Sequence, residues 1–488
     1  MANNSNDIRY VGVKENLAYG FANAGQVFGY NLVARGYMLL FFTKVFGLPE
    51  GAVSAMILIL GIWDTVNDPL MGAVVDKTRT RFGKLRPYLI FVPLPLSIFT
   101  ILLFAGPVIL QDTKSTVIKI VYMYISYFLW EFFYTIGDIP FWSMSSAISP
   151  SPADRTRAIS SARFISGILG NLSPTILVLL MDLSEKGVIK MSLAQVFLLM
   201  AVIAGTFGMG LFSLAGRCCK ERVVQSVKEP SVLEGFKVML KNKPLFLIII
   251  SSVLGSVSGI SSVFATYYYA EVVHLNSLTI LIALPGSILG FLTYLLIPKL
   301  KAKFDNRQII FLNGFSRVIV GTIVFLVGYN NFTNFKVVIP LLMFQNLVFS
   351  FFDTVNMVIP TEMIGDTVDY MEWKTGERNE GISFAVLTFV GKLTGSVSTS
   401  IGAALLPIIG LSFKKIAGTT DTVTIKGEHT DLYIWALFTF VPQILGLITL
   451  IPYIWYDLTG NKLLTIRSEL RERHEEMSKQ LSGGENDA

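Results

Sequence analysis

The chain has 488 residues, of which 52% are hydrophobic and only 15% are charged, and its mean hydropathy is +0.58. A soluble protein of this length needs far more charge to cover its surface, so the composition excludes an ordinary soluble globular protein. The formal net charge is +6, but the basic residues fall between apolar segments, which disfavours a nucleic-acid partner. The two cysteines, Cys218 and Cys219, are neighbours and predict no disulfide framework.

Long apolar segments recur along the chain, and each has the roughly 20 residues that a membrane-spanning helix requires. Only helices satisfy all their backbone hydrogen bonds within one segment in hydrocarbon, so the predicted fold class is an all-α membrane protein. The polar N-terminus lacks the apolar core of a removable signal peptide. The twelve predicted spans cover residues 17–45, 50–75, 87–111, 116–147, 158–181, 191–215, 243–272, 276–299, 308–329, 335–363, 381–410 and 431–457.

Positive charge is distributed unevenly around these spans. With both termini placed in the cytoplasm, 27 of the 40 lysines and arginines fall on the cytoplasmic side and nine on the opposite side. We therefore expect a multi-pass protein of the cell's inner (plasma) membrane with both termini cytoplasmic. The longest interior break divides the spans six and six. The predicted organisation is an N-terminal half (1–215), a cytoplasmic linker (216–242), a C-terminal half (243–457) and a cytoplasmic tail (458–488).

The second span contains two carboxylates, Asp64 and Asp68. Because they are four residues apart, both lie on one helical face about a turn apart, with the amide of Asn67 nearby. Two close negative charges need neutralising, so the set suits a hard monovalent cation, Na+ or a proton. The alternative is that both carboxylates pair with arginine or lysine from neighbouring helices and only hold the fold together.

The fourth span carries acids, hydroxyl groups and an indole at 3–4 spacing, so these side chains share one helical face. Carboxylates accept hydrogen bonds from sugar hydroxyls and an aromatic ring covers the apolar face of a pyranose, so the set suits a sugar. Trp142 could alternatively be an interfacial residue near the cytoplasmic end of the span. The residues of this face are Glu131, Tyr134, Thr135, Asp138 and Trp142.

Four basic residues inside the spans supply the opposite charge: Arg35, Arg163, Arg317 and Lys392. Lys392 is too deep in its span to snorkel, so we expect it to pair with a carboxylate of the cation or substrate site. Arg317 either does the same or only bridges helices. The sequence has neither a Walker loop nor a dinucleotide fingerprint, so we expect no ATP-driven pump, no enzyme and no cofactor.

Several segments together resemble those of the glycoside–pentoside–hexuronide:cation symporter family, the family of melibiose permease within the major facilitator superfamily. The segments are IWDTVNDPLMG with the RFGKLRP loop, YTIGDIPFW, DRTRAISSARF, GDTVDYMEWKTG and FAVLTFVGKLTGS. The resemblance implies twelve helices in two six-helix halves that rock about a central cavity. It also implies that Asp64 and Asp68 bind the coupling cation, together with Asn67 and Thr135.

The resemblance further implies a sugar site next to the cation site. In it, Asp138, Trp142 and Arg163 would contact or orient the substrate, and Lys392 would stand close to both sites. Cation binding would neutralise the paired carboxylates and raise the affinity for substrate, and this coupling would be reciprocal.

One departure from the family pattern concerns the first helix, where the family commonly places a sugar-binding aspartate. This chain has Val27 at that position, with Gln26, Asn31 and Arg35 as the nearby polar residues. Since Asn31 and Arg35 share a helical face, we hypothesise an acidic glycoside, such as a glucuronide, in place of a neutral galactoside. Alternatively, Arg35 pairs with Glu131.

The sequence thus predicts a secondary active transporter that couples Na+ or H+ to a sugar or glycoside by alternating access. Its expected partners are the substrate, a monovalent cation and membrane lipid, and a monomer is expected because both halves are in one chain. The alternatives are a solute exchanger or uniporter on the same fold, and a membrane receptor or enzyme. Asp64 and Asp68 favour symport, since a receptor does not need them.

Overall fold

The computed structural model describes residues 9–33, 36–223, 241–376, 380–415 and 422–484. Helices account for most of it. The helices of the first six spans are α1 (Val13–Val33), α2 (Gly36–Leu40), α3 (Glu50–Lys77), α4 (Arg86–Phe91), α5 (Pro93–Ile109), α6 (Thr116–Ala147), α7 (Pro152–Leu169), α8 (Leu172–Glu185), α9 (Leu193–Ile203), α10 (Met209–Phe212) and α11 (Leu214–Cys218).

The remaining helices form the last six spans and the C-terminal tail. They are α12 (Lys243–Gly255), α13 (Ile260–Tyr267), α14 (Leu278–Lys301), α15 (Asn306–Gly328), α16 (Phe335–Thr375), α17 (Glu380–Ile408), α18 (Thr430–Thr439), α19 (Val441–Gly446), α20 (Ile451–Ile454) and α21 (Gly460–Gly484).

Each of the twelve predicted spans coincides with one helix or a short series of helices, so the predicted all-α membrane fold is confirmed. In the described part of the chain, nine helices are long and apolar enough to cross a bilayer, and Pro93–Ile109 and Leu278–Gly290 are shorter apolar helices. The tenth span is longer than predicted, because α16 continues to Thr375 and makes the GDTVDY segment helical.

Several spans are interrupted by turns of different pitch. Turns of π-helix over Phe41–Val45, Ala204–Gly208 and Tyr268–Val272 break the first, sixth and seventh spans. Next to the second of these turns, α1 comes so close that a methyl group added at Gly25 would lie 2.2 Å from the Gly208 carbonyl oxygen. Glycine at this position therefore allows the first and sixth spans to pack together.

A β-hairpin joins the last two spans. The sequence predicts only a connecting loop there. Strand β1 (Leu411–Lys415) pairs antiparallel with β2 (Thr422–Lys426), with Leu411 opposite Lys426. In β2 the side chains alternate between half-buried and exposed, as expected for TVTIK, in which four of the five residues are β-branched.

The chain forms two compact units. The first contains Met1–Glu229, Ser262–Leu278 and Thr399–Ile434, and the second contains Pro230–Ser261, Thr279–Ser398 and Trp435–Ala488. The predicted halves are not tested by this grouping and stay a prediction. Most of the predicted linker, residues 224–240, lies outside the described part of the chain.

The core of the second unit is a cluster of buried apolar residues from α12 and from α14 to α17, completed by the C-terminal helix. Ile466 and Leu470 of α21 are buried in this cluster. On the same helix, Arg467 Nη2 lies 2.6 Å from Asp366 Oδ1 of α16, so the tail is packed against the second unit.

Candidate functional site

The predicted cation residues lie where α3 meets α6. Asp64 Oδ1 accepts a hydrogen bond from the Thr135 hydroxyl at 3.1 Å. Thr135 is 1% exposed and Asn67 is 2% exposed, and the Asn67 amide nitrogen makes no hydrogen bond to any described residue. Asp68 is half-buried one turn further along α3. The structure thus brings Thr135 to Asp64 and places Asn67 and Asp68 on the adjoining turn, an oxygen-rich set of the kind that hard cations prefer.

The predicted sugar residues meet one turn along the same helix. Asp138 Oδ1 accepts a hydrogen bond from Trp142 Nε1 at 3.1 Å. The guanidinium carbon of Arg163 on α7 lies 4.5 Å from the centre of the Trp142 ring, a cation–π contact. Because its N–H group donates to Asp138 inside the bundle, Trp142 does more than anchor the helix at the interface.

Aromatic side chains continue this face of α6 in the other direction. The Tyr134 ring centre lies 5.2 Å from that of Trp130 and 5.2 Å from that of Tyr30 on α1. Glu131 is half-buried on the same helix. The face therefore presents aromatic rings on both sides of Asp138, an arrangement suited to the apolar faces and the hydroxyl groups of a sugar.

Two residues of α1 that are not among the predicted site residues, Gln26 and Tyr30, also contact this face of α6. Gln26 Nε2 donates a hydrogen bond to Asp138 Oδ1 at 2.6 Å, and Tyr30 contacts Tyr134. A signal was available, because Tyr19, Asn23, Gln26 and Tyr30 recur at 3–4 spacing and so lie on one side of α1. The sequence marks Gln26 only as a polar neighbour of Val27, since a neutral amide carries no charge that would single it out.

Of the three remaining predicted site residues, the structure describes the contacts of Asn31. Asn31 Nδ2 donates to the Gly170 carbonyl and to Asn171 Oδ1, both at 3.2 Å, and so is bound at the break between α7 and α8. Arg35 lies outside the described residues. Lys392 is on α17 in the second unit, and its predicted closeness to both sites stays a prediction.

Arg317 bridges two helices of the second unit. Its guanidinium pairs with Asp353 of α16, and its Nε donates to Asn313 Oδ1 at 2.9 Å. Both side chains of the ion pair line a polar cavity of about 280 Å³ together with Gln443 of α19. The structure therefore favours the simpler interpretation of Arg317, as a residue that joins α15 to α16.

The comparisons with known proteins identify the family of the chain. Residues 18–460 match the model of the family described as MFS/sugar transport protein. The chain belongs to this family. It is 27% identical to the glucuronide carrier protein homolog of Escherichia coli, with 94% of this chain and 95% of that protein covered. It is also 27% identical to the isoprimeverose transporter of Lactiplantibacillus pentosus, with coverage of 86% and 85%.

Solved transporters share the fold of this family member at low sequence identity. The nucleoside transporter NupG superposes with a TM-score of 0.58 at 14% identity, covering 91% of this chain and 100% of that one. The xylose transporter XylE from E. coli, in its inward open conformation, superposes with a TM-score of 0.57 at 14% identity, covering 93% and 98%. These likenesses concern the fold alone.

Proposed function

We propose that this protein is a secondary active transporter that couples Na+ or H+ to the uptake of a sugar or glycoside by alternating access. The observation that carries the proposal is the 3.1 Å hydrogen bond between Thr135 and Asp64. It ties the paired carboxylates of α3 to α6, the helix that also carries Asp138 and Trp142. The two parts of the site are thereby mechanically connected.

This connection gives a physical route for coupling. Thr135 and Asp138 are one turn apart on α6, so a cation held by the α3 carboxylates and the Thr135 hydroxyl fixes the part of α6 that presents Asp138. Removing negative charge from Asp64 and Asp68 also lowers the electrostatic cost of closing the bundle around substrate. A cation that raises substrate affinity is itself bound more tightly when substrate is present.

The substrate class is argued from the site and from the relatives. Asp138 and the aromatic rings of Tyr134 and Trp142 suit a pyranose, and the names of the relatives include a glucuronide carrier homolog and an isoprimeverose transporter. The exposed guanidinium of Arg163 beside Trp142 is a cation near the sugar position, which favours including acidic glycosides among the substrates.

The proposal also covers the membrane location, the orientation and the oligomeric state of the protein. We place it in the inner membrane with both termini in the cytoplasm because of the lysine and arginine distribution, and as a monomer because both predicted halves are in one chain. A fluorescent protein that matures only in the cytoplasm, fused after Ala488, should fluoresce. A dark fusion and an active periplasmic phosphatase fusion at the same position would reverse the orientation.

The deciding experiment is uptake of radiolabelled neutral and acidic glycosides into vesicles, with and without an imposed Na+ or proton gradient. It compares the unaltered protein with Asp68→Asn and with the control Asp112→Asn, which removes an exposed loop carboxylate. We expect gradient-driven accumulation in the unaltered protein and in the control, and a loss of at least roughly tenfold in Asp68→Asn.

Two results would contradict coupled transport. Equilibration that ignores the gradient and is unchanged in Asp68→Asn would identify a uniporter with structural carboxylates. Uptake that requires glycoside on the opposite side, whatever the gradient, would identify an exchanger.

A further inference from the structure

Gln26 occupies a position on α1 to which the proposed mechanism gives no role so far. Its side chain is 2% exposed, and its amide nitrogen donates to Asp138 Oδ1 at 2.6 Å. The same oxygen accepts from Trp142 Nε1 at 3.1 Å. Two donors from two different helices therefore hold one carboxylate oxygen, which fixes the direction of the Asp138 side chain.

The orientation of the Gln26 amide is imposed by this carboxylate. An ionised carboxylate only accepts hydrogen bonds, so the amide nitrogen must face Asp138 and the amide oxygen must face away. There, Gln26 Oε1 is buried and accepts no hydrogen bond from any described residue. A buried acceptor without a donor lowers the stability of the fold, so an apolar side chain of the same length would be better tolerated here on structural grounds alone.

The neighbouring residues of α1 contact groups other than Asp138. Val27 faces the fifth span, since a methyl group added at Gly170 would come within 2.6 Å of its Cγ1. Asn23, one turn earlier, is also fully buried, and no described residue donates to its amide oxygen either, but its amide nitrogen donates to the Ala162 carbonyl at 3.1 Å and to Ser166 Oγ at 3.0 Å. Asn23 thus joins α1 to α7, whereas Gln26 connects α1 to Asp138.

We propose that Gln26 is a positioning residue of the sugar site, which holds Asp138 in the direction from which it takes a hydroxyl group of the transported sugar. The inference rests on the function proposed above and adds to it a first-helix residue that acts through Asp138. The buried oxygen of Gln26, to which no described residue donates, is the structural disadvantage that accompanies this role.

The test compares Gln26→Met with Asn23→Leu in the same vesicle assay and in a thermal unfolding assay of the purified protein. Methionine keeps the length of the side chain and removes both the donor and the undonated oxygen. We expect KM for the glycoside to rise roughly tenfold in Gln26→Met with the maximal rate changed less than roughly twofold, and Tm to be unchanged or higher. In Asn23→Leu we expect Tm to fall and KM to stay within roughly twofold.

A second variant tests whether the side chain at position 26 must donate a hydrogen bond to Asp138 or need only contact it. Gln26→Glu keeps the size of the side chain but replaces the donor by a second carboxylate facing Asp138, so its KM should rise more than in Gln26→Met. A cycle with Trp142→Phe completes the test, because both donors act on the same oxygen. Their effects on KM should then combine non-additively, by a factor of at least roughly three.

The outcomes distinguish this inference from the function on which it rests. Glycoside uptake by the unaltered protein, with KM unchanged in Gln26→Met or with KM effects that simply multiply in the cycle, would overturn the inference alone. A lowered Tm in Gln26→Met with an unchanged KM would make Gln26 a structural residue like Asn23. No glycoside uptake by the unaltered protein would remove the proposed function and this inference with it.

Discussion

Lys44 and Glu271 form a buried ion pair, with Lys44 Nζ 2.8 Å from Glu271 Oε1 and the two side chains 12% and 2% exposed. The pair lies in the first unit and joins the end of the first span to the end of the seventh, on the predicted extracellular side. Glu185 lies 3.1 Å from the same ammonium group, and Thr424 of β2 donates to Glu271 Oε2 at 2.9 Å. The hairpin thus helps to fix Glu271.

Removing one partner of this pair should destabilise the protein. Lys44→Met leaves the nearly inaccessible Glu271 carboxylate without its cation, so we expect the free energy of unfolding to fall by about 3 kcal/mol. The measurement is thermal or denaturant unfolding in detergent. The double variant Lys44→Met/Glu271→Gln should recover much of the loss, because no buried charge remains. A single variant as stable as the unaltered protein would show that the pair contributes nothing.

The turn after the second span should not tolerate a side chain at Gly83. The residue has φ +112°, and a methyl group there would lie 2.5 Å from Glu221 Oε1. Glu221 in turn accepts hydrogen bonds at 2.9 Å from the backbone N–H groups of Lys84, Leu85 and Arg86, at the start of α4.

We expect Gly83→Ala to lower the free energy of unfolding by about 1–3 kcal/mol, because of backbone strain and the displaced carboxylate. The matched control is Gly51→Ala, since nothing lies within 4 Å of a methyl group at that position. Equal Tm values for the two variants would contradict the role given to Glu221.

The hydroxyl of Thr135 should matter for the cation more than for the sugar. Thr135→Val has the same shape but cannot donate to Asp64, so we expect the cation concentration for half-maximal uptake to rise roughly tenfold. Thr135→Ser retains the hydroxyl and should stay within roughly threefold of the unaltered protein. Both variants are compared with the unaltered protein by measuring uptake at saturating glycoside over a series of cation concentrations. An unaltered cation dependence in Thr135→Val would exclude the hydroxyl as a cation ligand.

The two neighbouring cysteines should differ in reactivity. Cys218 is exposed, whereas Cys219 is fully buried, and burial together with the Glu15 carboxylate raises the pKa of the Cys219 thiol to about 12. The raised pKa keeps this thiol protonated at pH 7–8, and the protonated form is not the nucleophile. We expect maleimide to modify Cys218 only, as read by mass spectrometry, and Cys218→Ser to be unmodified. If maleimide labelled the folded Cys218→Ser variant at pH 7, Cys219 would be accessible to the reagent.

The sequence by itself determined the fold class and which side chains of one helix share a face. Apolar segments long enough for a bilayer leave the chain no alternative to helices, and helical periodicity alone places Asp64 with Asp68 and Asp138 with Trp142. These relationships are local, because each depends on one helix whose geometry is known in advance.

Tertiary structure decided which helices contribute to the site. The contacts of Gln26 with Asp138 and of Thr135 with Asp64 join helices far apart in sequence, and no periodicity within one helix specifies which residue of another helix it meets. The same limit explains Asn31, whose partners proved to be Gly170 and Asn171. The same limit applies to the hairpin, because its residues contact the ends of other spans. One of these contacts is the hydrogen bond from Thr424 to Glu271.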